Sequence, residues 1–150
     1  MSAGIVCLVL GYVLSQFYRA FLAVLAPALA ADIGADAAAL ARASGWWFVT
    51  FAAMQLPVGW ALDRIGPRRT AAGLLAGAGG AGAVLFALAQ SPVQVELAMA
   101  LIGIGCSPML MAPSYIFART APAALFGTLA GVVIGVGTLG NLAAALPLAL

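Results

Sequence analysis

The stretch Gly59-Trp60-Ala61-Leu62-Asp63-Arg64-Ile65-Gly66-Pro67-Arg68-Arg69 decides how the rest of the chain is read. From Asp63 to Arg69 it holds four of the ten charged residues of the chain, and a long apolar run lies on either side. An acidic residue at the carboxyl end of a helix meets the negative pole of the helix dipole, so Asp63 needs a cation or a helix amino terminus close by. Arg64, Arg68 and Arg69 are the local cations. Gly66 permits the left-handed turn that ends one helix, and Pro67 fits the first turn of the next. The stretch therefore reads as a tight, charged hairpin between two helices.

Those helices belong in a bilayer. The chain of 150 residues is 65% hydrophobic and 7% charged, with a mean hydropathy of +1.17, whereas soluble domains carry about a quarter charged residues. The net charge is only +2, with neither Lys nor His, so the basic excess reads as membrane topology, and no nucleic-acid partner is expected. Cys7 and Cys106 lie far apart in apolar runs and form no metal-ligand set, so both read as packing residues. No cofactor or metal is expected. With roughly 20 residues per spanning helix, the chain holds about five transmembrane helices, and the expected class is an all-α membrane protein. The spans are placed at about 4–30, 43–62, 70–90, 96–117 and 125–150.

The first run has no basic residue ahead of it. Ala28-Leu29-Ala30 resembles a signal-peptidase site, but the run is long and carries Arg19, unlike a removable leader. On a helix starting near Gly4, Arg19 lies close to mid-membrane, where an Arg costs ~2.5–3.5 kcal/mol on insertion scales. Such a charge is expected to face a cavity or a partner; the alternative is a shifted helix from which it snorkels to an interface. Tyr12, Ser15 or Gln16, and Arg19 recur at three- and four-residue spacing and share one side of the helix, a candidate substrate pathway.

Asp36 is placed to cap the second helix. In that helix Trp46 and Trp60 stand about 21 Å apart at 1.5 Å per residue, compatible with anchors toward the two membrane faces. Gln55 is either a further pathway residue or a helix contact, and the same two roles are open to Asn141 in the fifth span. Gly73 and Gly77 in the third span, and Gly127, Gly131 and Gly135 in the fifth, are spaced for close helix packing. Two prolines, Pro108 and Pro113, must bend the fourth span or be relieved by neighbours, Ser107 and Ser114 being the local candidates.

The quoted stretch resembles the signature between the second and third helices of major facilitator superfamily transporters, roughly Gly-x-Leu-x-Asp-Arg-x-Gly-Arg-Arg. Gly59, Asp63, Arg64, Gly66, Arg68 and Arg69 match it; Ala61 replaces the usual Leu and Pro67 a frequent Arg. The resemblance implies the amino-terminal half of such a transporter, an incomplete six-helix bundle that needs the carboxyl-terminal half of the same protein as partner. It also implies alternating access for a small solute, with Asp63 helping to close the cytoplasmic side against a helix of the opposite half. Met99 stands where many members carry an Arg linked to proton coupling, and Gly135-Val136-Gly137-Thr138-Leu139-Gly140 lacks the Pro and one Gly of the antiporter signature. Neither proton coupling nor antiport is carried over.

Counted alternately, one side receives Arg64, Arg68, Arg69 and Arg119, and the other Arg42 with Asp32, Asp36 and Glu96. The positive-inside rule places the signature loop and the amino terminus in the cytoplasm of a cell (inner) membrane. The expected function is secondary active or facilitative transport, with an anionic solute favoured by Arg19. The competing reading is a small helical membrane scaffold without transport activity. An intramembrane enzyme is not expected, because the chain has no His, H-E-x-x-H or G-x-S-x-G motif.

Overall fold

The computed structural model describes residues 3–145, and every described element is a helix. Among the described residues four helical stretches are long and apolar enough to cross a membrane: Ala3–Ile33, Pro67–Ala87, Pro92–Thr120 and Ala123–Ala145, the third of these broken at Ser107 between Pro92–Cys106 and Pro108–Thr120. They are the first, third, fourth and fifth spans. The second span is Ala37–Ala53 continued by Gln55–Arg64, with Met54 alone between them. Pro57 explains the break, because it offers no N–H to the carbonyl of Ala53 four residues earlier. The ladder resumes around it through Met54 N–H to Thr50 O at 3.0 Å and Val58 N–H to Met54 O at 2.9 Å.

Each helix begins earlier than hydropathy alone indicates. The second starts at Ala37 because the Asp36 carboxylate accepts the Ala39 N–H at 2.7 Å, which reduces the preceding connection to Gly34–Asp36. Residues 146–150, the end of the expected fifth span, lie outside the described part.

The fourth span is the hub of the bundle. Of its most apolar window 61% is buried, against 17–33% for the first, third and fifth spans. The second and third spans pack along it, and the first pairs with the fifth. Two apolar clusters form the core. One gathers Leu8, Tyr12, Val58, Leu62, Met109 and Phe117; the other gathers Phe21, Leu22, Trp47, Met99, Ile102 and Cys106. On the first span Ser15 and Gln16 fall between Tyr12 of the one and Phe17 beside the other, and Arg19 follows one residue after Tyr18.

The close helix approaches are not those expected from glycine spacing. A side chain at Gly73, Gly77, Gly127, Gly131 or Gly135 would meet open space. The third and fourth spans instead touch where Gly105 lies against the backbone of Gly79, and Gly82 sits against Ala98 and Ile102. A π-helical turn, Leu75–Gly79, occurs at this crossing. The first and fifth spans touch where Gly140 meets the Val13 carbonyl and Gly137 the Tyr12 ring. Regular spacing marks small faces, but only the arrangement of neighbours determines which small face is covered.

Of the two serine candidates, Ser107 relieves its proline. Its hydroxyl donates to Ile104 O at 2.6 Å, the carbonyl to which Pro108 has no N–H to offer. Ser114 does not act on Pro113 in this way, since it donates to Leu110 O at 2.9 Å whereas Pro113 frees the carbonyl of Met109. Cys106 is buried, as a packing residue should be, but Cys7 is exposed.

Candidate functional site

Two regions carry the polar chemistry of the bundle: the signature hairpin at one end and a cleft at mid-depth. In the hairpin, Gly66 adopts φ 97°, a conformation that disfavours any side chain. The N–H groups of Ile65 and Gly66 both donate to Ala61 O, at 2.8 and 3.1 Å, closing the second span, and Pro67 opens the third at its first turn. Gly59 faces Met111 of the fourth span.

The partners of Asp63 come from the fourth span. Its Oδ1 accepts from Tyr115 Oη at 3.0 Å and from Arg119 Nη2 at 3.1 Å, and the Arg119 guanidinium lies 4.2 Å from the centre of the Tyr115 ring. The expectation that Arg64, Arg68 and Arg69 supply its local partners is therefore corrected: among the described residues its ion pair is with Arg119. Arg64 sits in the last turn of its own helix. Arg68 borders a groove with Gly4, Cys7 and Met109, and Arg69 a second with Met54, Trp60 and Thr70. The alternating count of loops puts Arg119 on the same side of the membrane as Asp63 but does not join the two.

The side chains of Asp63 and Arg119 are 60% and 63% exposed. An ion pair this open contributes about 0–1 kcal/mol to stability. Its value to the fold is small, and a carboxylate held there remains available to other partners.

The mid-depth cleft has a volume of about 180 Å³ and is lined by Tyr12, Ser15, Gln16 and Arg19 of the first span, Trp47, Phe48 and Phe51 of the second, and Cys106 and Leu110 of the fourth. Arg19 is sixteen residues from Ala3 and fourteen from Ile33, about 24 and 21 Å from the two helix ends. Its guanidinium stands 5.2 Å from the centre of the Phe48 ring, and no carboxylate pairs with it among the described residues. Gln16 Nε2 donates to Tyr12 Oη at 2.9 Å, and Ser15 is buried. Trp47 and Phe51 stack with ring centres 5.0 Å apart. The Trp47 indole N–H is buried with no hydrogen-bond partner among the described residues.

Of the five candidate pathway residues, Tyr12, Gln16 and Arg19 thus share one cleft. Gln55 turns back on its own helix, donating to Phe51 O at 2.9 Å, and Asn141 is half-buried on the fifth span; neither lines the cleft. Trp47, Phe48 and Phe51 escaped the sequence reading as site residues because their type and placement are equally those of a packed helix face. Trp46 and Trp60 point outward, as membrane anchors would, while Trp47 turns inward.

A second interhelical ion pair lies at the other end of the bundle, where Arg42 Nε meets Glu96 Oε1 at 2.9 Å. It ties the start of the second span to the start of the fourth. The earlier start of both helices carries these two residues out of the connections and into facing turns. Farther along the same interface the Thr50 hydroxyl reaches Ala100 O at 2.9 Å.

No match to the chain was found among curated proteins or among solved structures. The family model described as Major Facilitator Superfamily matches residues 8–150. Covered over nearly its whole length, the chain belongs to the Major Facilitator Superfamily and is a multi-pass membrane protein of a family of small-solute transporters, which in general are not enzymes.

Proposed function

We propose that this chain supplies amino-terminal helices of a secondary transporter, active or facilitative, that moves a small anionic solute by alternating access. The observation that carries the charge preference is Arg19: a mid-span cation with no carboxylate partner among the described residues, at the wall of a cleft. An unpaired charge at that depth is costly unless an anion or water reaches it. A solute anion is the partner that transport itself would deliver.

In this reading a second helix bundle from the same protein completes the site, and the two rock about it. The amino terminus and the signature hairpin lie on the cytoplasmic side of the cell membrane, in keeping with the cluster of Arg64, Arg68, Arg69 and Arg119. Asp63, presented by Tyr115 and Arg119 and still exposed, meets a helix amino terminus of the opposite bundle when the cytoplasmic side closes.

The test is solute uptake by the complete protein reconstituted in liposomes, with a panel of small anions, neutral solutes and cations. Uptake of anions that is lost in Arg19→Ala is expected. Uptake restricted to neutral or cationic solutes and indifferent to Arg19→Ala would contradict the proposal.

A further inference from the structure

The walls of the Arg19 cleft point to a narrower class of solute, an inference that rests on reading this cleft as the solute site. We propose that it takes a small monocarboxylate carrying a single planar ring.

Among the described residues Arg19 is the only cation lining the cleft, so one negative charge is matched and a second finds no cationic partner there. A guanidinium offers a planar fork of donors that fits the two oxygens of a carboxylate. Its position against Phe48 orients that fork with the ring as backing. Trp47 lines the same cleft, and its buried indole N–H has no acceptor among the described residues, so a carboxylate oxygen that reached it would supply one. A buried donor left unmatched is costly, so a ligand acceptor here gains more than one at an exposed site.

The ring is argued from what surrounds the charge. Four of the nine lining residues, Tyr12, Trp47, Phe48 and Phe51, are aromatic, and the Trp47–Phe51 stack and the edge-on Trp47–Phe48 pair hold the three rings of the second span in fixed orientations. Flat apolar faces favour offset or edge contacts with another flat ring over a flexible alkyl chain, which would lose rotamer freedom on ordering. The size follows from about 180 Å³, below the ~300–1,000 Å³ of sites for drug-sized ligands.

The experiment is equilibrium binding of radiolabelled benzoate to the complete protein in detergent, with acetate, cyclohexanecarboxylate, benzyl alcohol and benzylammonium as competitors. Benzoate is expected to bind about tenfold or more tighter than acetate, which lacks the six-carbon body, with cyclohexanecarboxylate, which has the body without the flat π face, between them. Benzyl alcohol and benzylammonium are expected not to compete. Arg19→Gln should weaken benzoate about tenfold or more, and Trp47→Phe, which keeps the ring and removes the N–H, by a few-fold. Phe48→Leu should weaken benzoate and leave acetate unchanged.

Equal affinity for acetate and benzoate, competition by benzylammonium, or benzoate binding indifferent to Arg19→Gln would overturn the inference. So would absence of benzoate binding to protein that remains helical and monodisperse. The transport reading fails separately: benzoate bound in an Arg19-dependent way but never carried across reconstituted membranes would leave the site assignment standing and remove alternating access. Anion uptake that benzoate does not inhibit would do the reverse.

Discussion

Replacing Gly105 by Ala should loosen the bundle more than the size of one methyl group implies. The new Cβ would run into the backbone N and Cα of Gly79 and lie 3.0 Å from Leu74 O. All three neighbours are backbone, so no side-chain rotation relieves the contact and one span must shift against the other. Overpacking of this kind costs about 1–3 kcal/mol, and the gain from removing a helical glycine, ~0.5–1 kcal/mol at mid-helix and less at Gly105 one residue from the helix end, offsets only part of it. Gly131→Ala is the matched control, because a side chain there meets open space; only the helix-propensity gain should remain. Thermal unfolding in one detergent, followed by circular dichroism, compares the two. At about 2–4 °C per kcal/mol for a chain of this size, Gly105→Ala should melt a few degrees below the parent and Gly131→Ala at or slightly above it. Equal melting temperatures for Gly105→Ala and the parent, or a larger loss in Gly131→Ala, would refute the assignment of the third-to-fourth crossing.

Three other outcomes follow from the same geometry. Asp63→Asn and Arg119→Gln should each change stability by less than about 1 kcal/mol, because the pair is solvent-exposed. In reconstituted liposomes both should still lower uptake ~5-fold or more, the low end of coupling between linked sites; unchanged uptake would remove Asp63 from gating. Ser107→Ala should cost about 1 kcal/mol by leaving the Ile104 carbonyl with only the long 3.3 Å backbone contact, read as a drop in melting temperature that Thr120→Ala, at the exposed end of the same span, does not share. Arg68→Cys, in a background of Cys7→Ser and Cys106→Ala, should react with a membrane-impermeant maleimide in inside-out vesicles and resist it in intact cells; the opposite pattern would invert the proposed orientation.

How much of this was visible in the chain alone depends on whether the cause is local. The hairpin at Gly66-Pro67 and the cap at Asp36 rest on residues within a few positions of each other, and both stand where the sequence places them. Ser107 answers Pro108 across a single turn in the same way. The break before Pro57 has an equally local cause and was legible in principle. Asp63 is different: its partners lie 52 and 56 residues away, and the charged neighbours beside it were the more obvious choice. The glycine stripes failed for a related reason, since spacing along one helix says nothing about which face a second helix covers. In the cleft, Tyr12, Gln16 and Arg19 were legible as one side of a helix. The aromatic wall opposite them depends on how the second span rotates against the fourth.

The most direct test of the central claim is whether water and solute reach position 19. In a background of Cys7→Ser and Cys106→Ala, Arg19→Cys is treated with a membrane-impermeant methanethiosulfonate reagent, beside Leu56→Cys on an 85% exposed position of the second span. Modification of Arg19→Cys well above both Leu56→Cys and the cysteine-free parent is predicted, because a solute pathway makes the cleft aqueous and Leu56 lies outside it. Arg19→Cys that reacts no faster than Leu56→Cys would mean that this residue faces no polar pathway, and the account of an anion site would fall with it.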